Sequence, residues 1–191
     1  LILLFDVLAK SIVNAATMTL KMYLGADLDS NPADNFTGSE EFGISASSPT
    51  NLSMPGKIVS GKMTAGPGTM TIPIPLGTTP TNVNLKLAQA TGTLSSTGLA
   101  SGQINGAIPW TDVDNKLMPA IATMLDTEYK STTDTTLKNL FKTLLDTNKD
   151  GSITAKELTA NIIIGALIAA DVDTDADGKK DAMSAGLALT G

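Results

Sequence analysis

Between Asp146 and Glu157 the chain reads DTNKDGSITAKE, and the spacing of its oxygen-bearing side chains constrains the fold more tightly than any other stretch. Counting Asp146 as position one, the short side chains of Asp146, Asn148 and Asp150 stand at one, three and five, where they can converge on a hard cation. Gly151 follows at position six, where the backbone must turn with φ > 0. Ser152 offers its backbone carbonyl, and Thr154 offers its hydroxyl or holds a bridging water. Glu157, at position twelve, is long enough to close the shell with both carboxylate oxygens. An apolar Ile153 at position eight, with helical patterns on both sides, marks the segment as a loop between two helices.

This stretch resembles the EF-hand calcium-binding family at each ligand position. The resemblance implies that Asp146, Asn148, Asp150, Ser152, Thr154 and Glu157 are ligands of one Ca2+. The set is all oxygen, without sulfur or imidazole, which suits a cation taking about 6–8 oxygens. A solvated acidic turn is the alternative, and the complete spacing weighs against it.

Residues 173–184 form a second candidate loop. Asp173, Asp175 and Asp177 alternate, Gly178 makes the turn, and Asp181 stands at position nine. The pattern resembles the D-x-D-x-D-G-x-x-D calcium loops of extracellular proteins. That resemblance implies Asp173, Asp175, Asp177, Lys179 and Asp181 as candidate ligands of a second Ca2+. It departs from the EF-hand at position twelve, where Ser184 replaces Glu, and at position eight, where Lys180 replaces an aliphatic residue. Direct coordination by Asp181 would offset part of the loss. Four aspartates packed so closely repel one another unless a cation neutralises them, which weighs against a merely solvated turn. Between Glu157 and Asp173 there is room for one helix, not two. The expectation is therefore one EF-hand followed by a helix–loop–strand calcium loop, not a pair of hands.

Composition removes most other chemistries. The chain has no cysteine and no histidine, and all thirteen basic residues are lysine. Disulfides, thiol nucleophiles, His-based triads and the usual zinc sites are excluded. The arginine fork favoured for phosphate and base recognition is missing as well. A net charge of −6 argues against nucleic acid and anionic membrane surfaces as partners. Eight of the nineteen acids lie between Asp146 and Asp181, a concentration that favours cation sites over a generic solubilising surface. The many serines and threonines have no candidate base beside them, so no enzyme is expected.

Taken in order, Leu1–Val13 places Leu1, Leu4, Phe5, Leu8 and Ile12 at helical spacing and predicts a core-packing first helix. A remnant of an export or anchoring segment is the alternative. Met18, Leu20, Met22 and Leu24 then alternate with polar residues as a half-buried strand ending at Gly25. Residues 26–51 read as a long polar surface loop, whose acids Asp27, Asp29, Asp34, Glu40 and Glu41 match no metal-loop spacing. Residues 57–108 read as short strands broken by turns at Gly66–Gly68, Gly77–Pro80 and Gly98–Gly102. Pro73 and Pro75 place one of these strands at a sheet edge. Val83, Leu85 and Leu87 should share one face of the next.

From Thr111 the period becomes helical. Thr111–Asp112 should cap a helix that Pro119 kinks or restarts, and Asp134 should cap the entering helix of the EF-hand. Leu158–Ala170 supplies the exiting helix, with Gly165 permitting close approach by a neighbour. Its apolar run Ile162–Ala170 is too short to span a bilayer and is expected to be buried. Ala185–Thr190 reads as a final strand. The predicted fold class is α+β: an antiparallel β-sandwich or partial barrel, with a C-terminal helical EF-hand segment returning to a strand. The predicted domains are a β-rich 1–110, with its helical segment and acidic loop, and a helical calcium-binding 111–191.

The segments SGQINGAIPWTDV and DVDTDADGKKDAMSAGLALTG carry a looser resemblance, to exported bacterial lipoproteins with a β-domain ahead of EF-hand and DxDxDG loops. It implies a periplasmic, outer-membrane-associated or extracellular location. Because the chain starts at Leu1, a processed polypeptide is expected, with any signal peptide or lipid-anchor cysteine upstream. The leading expectation is an extracytoplasmic protein whose Ca2+ is structural. A subunit of a surface assembly or filament, with a protein partner or self-association, comes second, and a calcium sensor third.

Overall fold

The computed structural model describes residues 2–29, 31, 33–35, 37, 40–50, 53–77 and 80–189. Leu1, Asn51 and Thr190, each the end of a predicted segment, lie outside the described residues. The strands are β1 (Leu3–Ala9), β2 (Ala15–Asp27), β3 (Phe42–Ile44), β4 (Ser53–Val59), β5 (Lys62–Ile74), β6 (Thr81–Ser95), β7 (Gly98–Pro109) and β8 (Ala182–Leu189). They form one sheet in the order β1-β2-β4-β5-β6-β7-β8, with β3 paired to β2. The helices are α1 (Trp110–Asp112), a π-helical turn at Val113–Leu117, α2 (Met118–Ser131), α3 (Thr135–Leu144), α4 (Ala155–Ala160) and α5 (Ile162–Leu167). The class is α+β, with a mostly antiparallel sheet and a C-terminal strand.

Two compact units divide the chain. The first comprises 1–72, 85–106 and 186–191, and the second 73–84 and 107–185.

In the first unit a single buried face is set by strand register. Leu3, Phe5 and Val7 of β1 stand opposite Leu24, Met22 and Leu20 of β2. Leu20 in turn faces Met54, and Ile58 faces Met63. Residues opposite in register share a face, so Met18, Leu20, Met22, Leu24, Met54, Ile58 and Met63 bury together. Unbranched methionine fills the gaps left by the small residues and scarce aromatics.

The predicted first helix is a strand. Seven consecutive register pairs bind β1 to β2, and one stretch satisfies both periods because Leu3, Leu4, Phe5, Val7 and Leu8 are apolar on either count. Asp6 sits opposite Lys21 on the other face. The predicted strand at Met18–Leu24, expected to end at Gly25, is present and runs two residues beyond that end, to Asp27, where β3 pairs with it in what reads as pure loop.

Four other expectations about the long strands shift. Gly66–Gly68 is not a turn but lies inside β5. There Gly66 takes φ +94°, and a side chain on it would collide with the Ala88 carbonyl. The buried positions move from Met63 and Ala65 to Met70 across it, a change of phase. Leu87, at φ +52°, does the same in β6: Leu87 is exposed, and Ala88 and Ala90 are buried instead. β5 is also not an edge strand, since it lies between β4 and β6. Its registered pairs with β4 end at Gly56↔Ala65, so Pro67 and Pro73 fall beyond them. Likewise Gly98–Gly102 belongs to β7 and is not a turn.

In the second unit the core gathers Val83, Ile108, Val113, Leu117, Met118, Tyr129, Phe141, Ile153, Leu158 and Ala182. The rings of Tyr129 and Phe141 meet edge to face at 6.0 Å. Asp112 does not cap a helix. It is buried, accepts from Asn84 N at 2.7 Å, and pairs with Lys116 at 2.9 Å. Pro119 does mark a restart, sitting in the first turn of α2 after the π-helical residues.

Asp134 caps α3 as predicted, accepting from the amides of Thr136 and Leu137. The exiting helix breaks at Asn161, whose extended backbone (ψ 124°) ends α4 and whose side chain caps α5. The run from Ile162 is not buried: Ile162 and Leu167 are 88% and 77% exposed. Among the described residues a side chain on Gly165 would meet only Thr159 O of α4, at 3.5 Å, and no other element.

Candidate metal centres

The first loop is organised by Asp146, which is buried to 1% exposure. Its Oδ2 accepts from Gly151 N at 3.0 Å and from the Tyr129 hydroxyl at 3.2 Å, and its Oδ1 accepts from Asp150 N at 3.0 Å. Burial first, then the bond to Asp146, pushes the Tyr129 hydroxyl pKa up, so it stays protonated as a donor. Asn148 and Asp150 fold inward by the same device, each side-chain oxygen taking the amide two residues on. Lys149 and Gly151 adopt φ 63° and φ 85°.

Glu157 closes the loop. Its Oε1 accepts from Thr147 Oγ1 and Asn148 N, both at 3.2 Å, and its Oε2 accepts from Thr154 Oγ1 at 2.8 Å and Thr154 N at 3.0 Å. The last contact completes a capping box on α4. Burial alone would raise the Glu157 pKa, but these donors outweigh it and hold the carboxyl below its ordinary value.

The second loop repeats the backbone of the first. Asp173 Oδ2 accepts from Gly178 N at 2.8 Å, five residues on, as Asp146 does from Gly151. Ala176 and Gly178 take φ 62° and φ 87°, matching Lys149 and Gly151 position for position. Gly178 N, and then the Ala176 and Asp175 amides, hold the Asp173 carboxyl below its ordinary pKa against the opposing effect of burial. Asp173, Asp175 and Asp177 each bring a carboxylate oxygen within 4.8 Å of the others. Asp177 Oδ1 accepts from Lys179 N at 2.8 Å.

Position twelve does not take part: Ser184 donates through both N and Oγ to Asp171, at 2.6 Å each. The closing carboxylate is Asp181, which accepts from Thr174. Thr174 and Thr147 both stand at position two. The isolated bridge Val172↔Ala182 ties the ends of the loop together.

A third acidic group lies in the first unit. Asp27, Asp29 and Glu40 also bring oxygens within 4.8 Å of one another. Desolvation, then the charges of Asp29, Asp34 and Asp27, raise the Glu40 pKa. Asp34 Oδ1 and Asn35 Oδ1 are buried without a hydrogen-bond partner among the described residues. Glu41 is exposed and not part of the group. Linear spacing misses this group because Glu40 is brought in by the return of the loop. The one local signal is the D-x-D of Asp27 and Asp29.

Sequence reasoning also missed the contacts that α2 makes with the first loop. Asp126 Oδ1 accepts from Ile153 N at 2.9 Å, and Lys130 Nζ donates to Asp126 Oδ2 at 2.7 Å and to Ser152 Oγ at 2.8 Å. In sequence nothing links Asp126 or Lys130 to the loop, which begins sixteen residues after Lys130.

Two acidic clusters, Asp27/Asp29/Glu40 and Asp173/Asp175/Asp177, are thus arranged so that they could hold a metal ion. Among the described residues no helix is long and apolar enough to cross a membrane. Comparison with known proteins finds no matching family model, no matching curated protein and no matching solved structure.

Proposed function

We propose that the chain is a non-enzymatic, extracytoplasmic calcium-binding protein in which Ca2+ is a structural element of the helical unit, one ion in each loop. The observation that carries this is the repeated backbone of the two loops. In both, a position-one aspartate takes the amide of the position-six glycine, positions four and six have positive φ, and a threonine at position two meets the closing carboxylate. Two stretches with different closing acids, Glu157 and Asp181, support one purpose: directing several oxygens at one point. The donors are all oxygen, which suits Ca2+ above softer cations.

A structural role fits better than a sensor role. Sensors expose a Met-rich groove on binding, whereas Met18, Met22, Met54, Met63 and Met70 are buried along the sheet. The deciding experiment compares thermal unfolding in millimolar calcium and in chelator. Binding at a hundredfold excess over Kd stabilises by about 2.7 kcal/mol per site. At roughly 2–4 °C per kcal/mol, each occupied loop should raise the midpoint by about 5–10 °C. Equal midpoints would sink the proposal.

A second reading, a subunit of a surface assembly, draws support from α5, where Ile162, Ile163 and Leu167 are 88%, 66% and 77% exposed. Sedimentation of the whole chain over a concentration series tests it, and a strictly monomeric species counts against it.

A further inference from the structure

Among the described residues no second helix–loop–helix accompanies the first loop, yet the middle of that loop is buried. Ile153, at position eight, is 3% exposed, so its backbone N–H needs an acceptor within the protein. Neither α3 nor α4, the helices that flank the loop, provides one. The acceptor is Asp126 Oδ1 on α2, at 2.9 Å.

The same helix makes two more contacts with the loop. Lys130 spans from Asp126 Oδ2 to Ser152 Oγ, and one residue earlier the Tyr129 hydroxyl reaches Asp146 Oδ2. Three residues within a little over one turn of α2 thus meet loop positions one, seven and eight. Their charges suit the task. Asp126 brings a carboxylate to the back of an acidic loop, and Lys130 neutralises it there, so it can accept the Ile153 amide without adding to the repulsion among the loop acids.

We infer that Asp126 is a positioning residue for the first cation site: α2 braces the single hand where another hand would otherwise stand. The inference rests on the calcium reading of that loop. It goes further by making the affinity of the site depend on a helix outside the helix–loop–helix. Asp126 lies outside the proposed ligand set; it holds Ser152 and Ile153 so that the Ser152 carbonyl and Thr154 keep their places between Asp150 and Glu157.

The test is a calcium titration of the full chain, wild type, Asp126→Ala and Asp126→Asn, followed by NMR at the amides of Gly151 and Gly178, with hydrogen exchange at Ile153. Asp126→Asn keeps an oxygen acceptor, so Ile153 should remain protected and first-loop affinity should stay within about threefold of wild type. Asp126→Ala should expose the Ile153 amide to exchange. It should also weaken calcium binding at Gly151 by about tenfold, the order expected when a buried donor loses its acceptor, and leave the response at Gly178 unchanged. Wild-type affinity at Gly151 in Asp126→Ala overturns the inference alone. Equal weakening at Gly151 and Gly178 also overturns it, since it marks general destabilisation. Absence of any calcium response in the wild type overturns it together with the calcium reading. If Asp126→Ala proves too unstable to measure, Lys130→Met and Tyr129→Phe carry the same comparison, each with a smaller loss confined to Gly151.

Discussion

Thr174 holds both oxygens of Asp181: its amide donates to Oδ1 at 2.7 Å and its hydroxyl to Oδ2 at 2.6 Å. Asp181 is thereby aimed back at the start of the second loop from position nine, the task that Glu157 performs from position twelve in the first. A shorter side chain closer in sequence can span the same gap, and Ser184 is released to Asp171. Asp181→Ala should therefore abolish the calcium response at Gly178 and leave Gly151 titrating normally. Ser184→Ala should weaken calcium binding little. Backbone NMR during titration reads both: a normal Gly178 response in Asp181→Ala would remove Asp181 from the ligand set, and no Gly178 response in the wild type would show that the second loop is only an acidic turn.

Glu157→Gln separates the two tasks of that residue. Glutamine still serves in a capping box, so α4 should persist, with its circular dichroism unchanged. The bidentate negative charge is lost, and one calcium equivalent should disappear from the stoichiometry measured by calorimetry. Retention of the full stoichiometry would remove Glu157 from the ligand set.

What could be read from the chain was whatever local spacing alone determines. The Asp134 cap and the Met18–Leu24 alternation stand as predicted because each depends on neighbours a few positions away. Leu3, Leu4, Phe5, Val7 and Leu8 fit both a helical and a strand count, and only the distant partner β2 decides between them. Leu87 carries no local sign of its positive φ, so the change of face in β6 could not be anticipated. The Asp126 contact to Ile153 joins residues far apart in the chain and leaves no periodic trace.

The same contrast gives a mutational test within one predicted helix. Leu158 is fully buried and Ile162 is 88% exposed, because Asn161 breaks the segment between them. Leu158→Ala should cost about 2–5 kcal/mol. Ile162→Ala should fall within about 0.5 kcal/mol of wild type. Chemical denaturation in chelator compares them. Similar losses would mean that the apolar run is buried as one helix after all.

Acid stability should depend on calcium in a defined direction. Glu157, Asp171 and Asp173 all titrate below their ordinary values of 4.5, 3.8 and 3.8. A carboxyl with a depressed folded pKa binds fewer protons folded than unfolded. Its contribution is therefore complete above the unfolded value and is lost as pH falls through the folded one. Without metal, stability should hold down to about pH 5 and fall steadily below it. Glu40 has the opposite sign: its raised pKa makes it a cost at neutral pH that acid relieves. Glu40→Gln should thus raise the midpoint slightly at pH 7 and lose that advantage in acid. Calcium competes with protons for the loop carboxylates, so millimolar calcium should move the acid transition to lower pH. Thermal melts from pH 3 to 7, with calcium and with chelator, measure all three. Superimposable acid transitions in the two conditions would separate these carboxylates from any ion.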